Sequence, residues 1–456
     1  MKLSIKWAIT IIIPLSILLI PVTETFTLGI KLFIAATLWA ICMWATEVTS
    51  TLIPALILPV LYILLGVVKP AQAFSSWGVS TIWIILGGML ICEVMNDTGL
   101  MKRIAYFFII KSGGSYRGII LGITLSGIVM ALVIPSAVSR AVIYAGLAYG
   151  VCRSLNIKSG SKIAAGLMLG SYFATANPAF IWSTGNNMTL IGINNLATYG
   201  YHVTFTDYLI HMAPIQIAWT LLIAFLLPFI LKPEGPLGDT AVLKDEYNNL
   251  GKMTLAEKKA MFIILIAVIL VMTNSIHGID PAWCFLIPAV FCFLPFLNIA
   301  DQKSMNRIGY PTLIFVASCL SIGTAANAVG ASTFIANIIS PFLQSGGTVF
   351  SLGIFWFFAA IVNFLMTPMA AISAFITPMI EIAIQIGINP CAVVYTFIQG
   401  LEQMLFPYEV APALVFFSFG IVAMRDFLKV FIAKWVLAFA FLLIVMVPYW
   451  MLIGLL

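Results

Sequence analysis

Ionised side chains are scarce in this chain: Lys, Arg, Asp and Glu make up 8% of its 456 residues, against about 25% in an ordinary soluble domain. So little polar material cannot cover a water-soluble fold of this size, which excludes a soluble enzyme and a nucleic-acid-binding domain. Histidine is reduced to His202, His211 and His277, without ligand spacing, and the seven cysteines (Cys42, Cys92, Cys152, Cys284, Cys292, Cys319 and Cys391) include no CxxC pair. No metal or cofactor is therefore expected, and the cysteines read as packing residues. A nucleophile with an oriented base and a phosphate loop are missing too, so catalysis is not expected.

In place of charge the chain carries apolar surface, with 62% hydrophobic residues and a mean hydropathy of +1.11. Runs long enough to cross a bilayer recur at 7–22, 27–46, 50–68, 79–95, 162–182, 205–231, 259–273, 281–299, 311–328, 389–406 and 430–455. They predict an all-α polytopic membrane protein of about 11 transmembrane helices with no soluble domain between them. The start, "MKLSIKWAITIIIPLSILLIPV", lacks a small-x-small cleavage pattern and reads as a retained first span.

Lys and Arg fix the orientation. They cluster at Lys2 and Lys6, at Lys102 to Arg117, at Arg153 to Lys162, across Lys232 to Lys259, at Lys303 and Arg307, and at Arg425, Lys429 and Lys434. If all of these are cytoplasmic, only Lys31 and Lys69 face outside and Arg140 alone belongs to neither side. That arrangement puts the N-terminus in the cytoplasm and the C-terminus outside the cytoplasmic membrane. It also requires the stretches 119–152 and 347–387 to enter and leave on one side, as two re-entrant helical hairpins. The net charge of +6 is then a topology signal and implies no nucleic-acid partner.

The chain repeats itself. "LIPA" at Leu52 recurs at Leu286, Gly99 matches Gly330, and "IVMALVIP" ending at Pro135 matches "IVNFLMTP" ending at Pro368, at offsets of 234, 231 and 233 residues. An odd number of crossings separates the copies, which makes them inverted repeats, the mark of a secondary transporter. Pro135 and Pro368 break the hairpins, and the arms restarting at Ser136 and Met369 aim their positive N-terminal ends at mid-membrane, where they suit an anion. A second pair of breaks is expected in "WSTGNNMTLIG" (182–192) and "MLFPYEVAP" (404–412). The Asn187-Met-Thr sequon lies in a broken membrane helix, the wrong context for glycosylation.

"MWATEVTSTLIPALILPVLYILLGVVKPAQAF" (43–74), "WIILGGMLICEVMNDTGLMKRIA" (83–105) and "TLIG" (189–192) resemble the divalent anion/sodium symporter family, the INDY-like dicarboxylate carriers. The resemblance extends along essentially the whole chain. It implies a homodimer working by an elevator mechanism, with scaffold parts 1–114 and 232–343 interleaved with transport parts 115–231 (hairpin 1) and 344–456 (hairpin 2). It fails at the tips. Where the family carries Ser-Asn-Thr, this chain has Pro135, Ser136, Ala137 and Pro368, Met369, Ala370, so Ser136 is expected to be the only tip side chain offering an oxygen. The family's Thr-Pro-Pro-Asn stretches are replaced by Ile193 to Leu196 and Val410 to Ala413.

Charge stands in their place. An arginine near mid-membrane costs at least ~2.5 kcal/mol, so Arg140 needs either a substrate anion or an internal partner, Glu402 or Glu409. Tyr395, Gln399, Glu402 and Gln403 form a polar stripe, and Glu402 and Glu409, seven residues apart, share a face if the helix runs on. Glu47 reads as a helix-end residue, Glu93 and Asp97 are expected to meet Lys102 or Arg103, and Glu381 is expected to be solvated.

The expected substrate site comprises Ser136, Ala137, Ser139, Arg140, Asn186, Asn187, Thr189, Met369, Ala370 and Glu409, with ion or proton coupling at Glu402 and Glu409. These readings converge on a bilayer carrier of small, dicarboxylate-like organic anions by alternating access, without sodium. The alternative is a carrier of zwitterionic or amino-acid-like solutes, proton-coupled or exchanging; a channel or intramembrane enzyme comes third.

Overall fold

The structure, a computed structural model, describes residues 3–46, 48–134, 136–235, 237, 241–297, 299–344, 346–365 and 367–456. Glu47 and the Pro135 break therefore lie outside the described residues. In chain order the longer helices begin with α1 (Leu3–Leu18), α2 (Leu28–Thr46), α3 (Leu52–Leu64), α4 (Ser80–Thr98), α5 (Leu100–Lys111), α6 (Tyr116–Val133) and α7 (Ala137–Ser154). Next come α8 (Lys162–Ala176), α9 (Asn187–Thr198), α10 (Phe205–Ile230), α11 (Ala241–Asn248), α12 (Leu255–Met272) and α13 (Pro281–Phe291). The last group is α14 (Tyr310–Val329), α15 (Ala331–Gln344), α16 (Gly347–Leu365), α17 (Pro368–Gln385), α18 (Pro390–Leu401), α19 (Ala411–Ser418) and α20 (Met424–Phe441), which continues through a π-helical turn to Leu452.

Among the described residues, eight helices are long and apolar enough to cross a bilayer: α2, α4, α6, α10, α14, α16, α17 and α20 with its extension. Several expected spans are shorter than the apolar runs that predicted them. The run 389–406 yields only the 12 residues of α18, and 281–299 only the 11 residues of α13, because the rest of each run leaves the helix. The outer surface suits lipid, with Phe225, Phe262 and Ile444 each more than 60% exposed.

Helix order repeats as the sequence implies, in a slightly different register. α4 and α14 both end on a left-handed glycine, Gly99 and Gly330. α7 and α17 are both 18 residues long, and they start 231 residues apart, at Ala137 and Pro368. Both hairpin-1 arms, α6 and α7, pack against α8, and both hairpin-2 arms, α16 and α17, pack against α18. Glycine makes the contact close in each copy: a Cβ on Gly127 would meet the Ala174 carbonyl at 2.1 Å, and one on Gly400 the Trp356 carbonyl at 2.6 Å. The copies are also crossed, since α9 packs against α17 and α19 against α7.

Two ion-pair clusters differ from expectation. Glu93 and Asp97 meet neither Lys102 nor Arg103; both pair with Arg307, Glu93 at 2.8 Å. Arg103 instead pairs with Glu257 at 2.7 Å and donates to the Leu250 and Gly251 carbonyls. Glu381 is half-buried, its carboxylate facing the Thr333 hydroxyl at 3.5 Å. The seven cysteines are all buried and free, as packing residues should be.

Candidate functional site

The expected site residues fall on two hairpin tips and two broken helices. At the first tip α6 ends at Val133 and α7 begins at Ala137. Ser136 is the cap of α7: its hydroxyl accepts the Ser139 amide at 3.2 Å and the Ser139 hydroxyl at 2.9 Å. Such a cap satisfies one orphan N–H and leaves the others, with the positive end of the helix dipole, at the tip. Ser136, Ala137 and Ser139 are half-buried there.

One turn further in, Arg140 is fully buried, and it pairs with neither Glu402 nor Glu409. Its Nε and Nη2 donate to the Thr175 carbonyl at 3.3 and 3.0 Å, and its Nη1 to the Gly185 carbonyl at 3.1 Å and to the Ile134 carbonyl. Ile134 is the end of α6, Thr175 the end of α8, and Gly185 the residue before the cap of α9. Two of these are helix C-termini, whose carbonyls have no intrahelical donor and whose dipoles favour a cation. The guanidinium thus ties the tip of hairpin 1 to both sides of the first break. Four of its five N–H groups are engaged.

The first break runs from the end of α8 through the 3-10 turn Asn177–Phe180 to Asn186, which caps α9 by accepting the Met188 amide at 2.7 Å. Trp182 donates to the Ile128 carbonyl at 2.9 Å and anchors the break to α6. Several buried polar atoms here have no partner among the described residues: both side-chain amide atoms of Asn177, the Thr184 hydroxyl and the Asn187 side-chain oxygen Oδ1. Unsatisfied groups cost free energy and collect where a ligand completes them. Thr189 is buried on the first turns of α9.

At the second tip the helix restarts one residue earlier than expected. α17 begins at Pro368, and its cap is Thr367, whose hydroxyl accepts the Ala370 amide. Ser136 therefore corresponds to Thr367, and this tip too carries a side-chain oxygen. Matching the two prolines hid it. Met369 and Ala370 lie in the first turn of α17.

The second break holds the acids. α18 stops at Leu401, so Glu402 is its cap residue, and Glu409 lies in the 3-10 turn Pro407–Glu409. The two do not share a helix face. Glu409 accepts the Leu405 and Phe406 amides at 3.1 and 2.8 Å and the Asn363 side-chain amide at 3.1 Å. Asn363, from α16, also donates to the Gln403 carbonyl, so it ties hairpin 2 to this break. The expected polar stripe does face inward, with Tyr395 on His211 at 3.1 Å and Gln399 accepting from Trp356.

Glu402 has a partner that the sequence reading missed. Lys434, in the middle of α20, is 2% exposed and pairs with Glu402 at 2.6 Å. Its neighbours Arg425 and Lys429 had placed it in a cytoplasmic cluster. The apolar run "VFIAKWVLAFAF" around it was the signal for a buried cation. The described residues contain no cluster of His, Cys, Asp and Glu able to hold a metal ion.

The chain matches the family model described as the sodium:sulfate symporter transmembrane region over residues 1–456. A membrane protein of Cupriavidus necator is 25% identical over 415 residues, 84% of this chain and 80% of that protein. The L-tartrate/succinate antiporter of Escherichia coli K12 is 24% identical over 375 residues, 78% of this chain and 75% of that protein. Among solved structures, the Alcanivorax borkumensis YdaH transporter superposes with a TM-score of 0.59 at 14% identity, over 93% of this chain and 98% of that one. That last likeness is one of fold.

Proposed function

Because this chain belongs to the sodium:sulfate symporter family, and is thereby a multi-pass membrane transporter, we propose that it carries small dicarboxylate-like anions by alternating access and without sodium. The observation that carries this reading is the pair of hairpin tips, each starting an 18-residue helix beneath a hydroxyl cap and each packed against a broken helix. Helix N-termini bind carboxylates through N–H groups and dipole alike. The tartrate/succinate antiporter among the relatives supports the substrate class.

The substrate sits between the tips. One carboxylate meets the α7 start at Ser136, Ala137 and Ser139, and the other the α17 start at Met369 and Ala370. Asn186, Asn187 and Thr189 close the site from the first break. Arg140 sets the tip's position and supplies a fixed positive charge to the anion. Glu402 and Glu409 lie at the second break, and Glu409, held by two main-chain amides and Asn363 with no cation beside it, exchanges the proton. What supports independence of sodium is the loss of the Ser-Asn-Thr tips, which leaves Ser136 and Thr367 as the capping hydroxyls.

The crossed packing of the repeats favours one moving unit built from 115–231 and 344–456 against a scaffold of 1–114 and 232–343, in a dimer whose N-termini face the cytoplasm. Counterflow of labelled succinate or tartrate in sodium-free proteoliposomes tests the reading: saturable exchange is expected, and strict sodium dependence refutes the sodium-free part. A zwitterionic substrate is favoured by one observation, that among the described residues Arg140 has no acid and Glu409 no cation paired with it. Competition by amino acids, and none by dicarboxylates, would select that reading.

A further inference from the structure

We propose that the second break is a monovalent-cation site which the protein fills with its own Lys434. Three oxygens of the break converge on the Lys434 ammonium: the Glu402 carboxylate at 2.6 Å, the Gln403 side-chain oxygen at 3.1 Å and the Glu402 carbonyl at 3.3 Å. A carboxylate, an amide oxygen and an orphan carbonyl at a helix C-terminus form a donor set for a hard monocation. The second carboxylate oxygen of Glu402 is buried with no partner among the described residues.

The ammonium does not belong to the break by sequence. It arrives from α20, along a crevice walled by Phe173, Ile223, Leu227, Val430 and Leu437. A lysine inside an apolar span is costly to keep there, and a leucine would continue the run. What the lysine supplies is charge: with Glu402 and Glu409 in one break, its removal leaves two carboxylates and no cation. The first break shows the same device, since Arg140 there neutralises the carbonyl end of α8. The proposal deepens the sodium-free reading above, and its test reads stability in the absence of substrate, so the two stand or fall separately.

Thermal unfolding of the purified, substrate-free protein is measured in ammonium, potassium, sodium and N-methylglucamine chloride at matched ionic strength, for the wild type, Lys434→Ala and Lys434→Ala/Glu402→Gln. The wild type should unfold at one temperature in all four salts. Lys434→Ala should unfold earlier in N-methylglucamine and regain stability with rising ammonium, potassium or sodium along a binding curve. The double variant should lose that response. Lys434→Ala that is as stable as wild type in N-methylglucamine overturns the proposal. So does a Lys434→Ala variant indifferent to all three cations, one that fails to fold in every salt, or a response that persists without Glu402. Sodium-dependent transport by the wild type would sink the sodium-free reading and leave this result standing.

Discussion

Replacing Arg140 with methionine keeps an unbranched apolar stem and removes every donor. Three buried carbonyls, of Ile134, Thr175 and Gly185, then lose their partners. Each unsatisfied acceptor costs about 1–3 kcal/mol, and against that sum stands relief from holding a charge in an apolar interior, at least ~2.5 kcal/mol. The balance is a net loss of about 0.5–6.5 kcal/mol, centred near about 3.5. Domains of 150–250 residues lose about 2–4 °C per kcal/mol, and a chain this long loses less, about 1–2 °C, so the expected fall in Tm at the centre of that range is about 3–7 °C. Differential scanning fluorimetry of substrate-free protein in detergent measures it. Arg140→Lys should recover only part of the loss, because an ammonium acts from one point and cannot bond carbonyls on three segments. Adding Glu402→Gln or Glu409→Gln should rescue nothing, since neither acid touches Arg140. Unchanged stability in Arg140→Met, or rescue by removing a glutamate, would refute the argument that this cation holds the tip to the break.

Gly127→Ala should destabilise by about 1–3 kcal/mol through overpacking, because its Cβ would meet the Ala174 carbonyl at 2.1 Å; an unchanged Tm with full counterflow would mean that hairpin 1 does not seat on α8 as described. Burial opposes ionisation of Glu257, but its bonds from Arg103 and from the Thr254 amide outweigh that and hold its carboxyl below the usual range. The stability it contributes is therefore complete above about pH 4.3, its unfolded value, and is lost as pH falls through the lower folded value. Glu257→Gln should cost about 3 kcal/mol at pH 7 and flatten the acid limb of a Tm-against-pH plot; a parallel acid limb in the variant counts against the pair. Glu409→Gln keeps one oxygen to accept the Leu405 and Phe406 amides and should abolish the pH dependence of uptake, read as initial rates across pH 5–8; a profile identical to wild type makes the acid structural.

The apolar runs, the charge clusters and the repeat made the fold legible before any coordinates, because lipid leaves few ways to satisfy a backbone and each leaves its mark in sequence. What stayed hidden was pairing over distance. Arg307 meets Glu93 and Asp97 across more than 200 residues, and no local pattern joins them. Arg140 was rightly picked out as needing a partner, yet its partners are main-chain carbonyls, which every residue has and no sequence displays. Lys434 was misread because its neighbours in sequence are surface cations, when the hydrophobic residues on both sides of it were the better guide. Thr367 was missed by one step of register, since matching the prolines hid the matching hydroxyls.

The exchange of partners between copies, α9 on α17 and α19 on α7, has a consequence for biogenesis. A ribosome that has made only the first half has made a hairpin whose second arm lacks the α19 surface and a broken helix whose restart has nothing to lie on. Neither half carries both surfaces of either contact, so each half is expected to be incomplete until the other is made. Cutting the chain within 232–254 and producing the pieces separately should give two unstable fragments, whereas making both in one membrane should give a working carrier. A gene of this kind evolves as a unit after duplication, because a change in one copy is tested against the surface of the other.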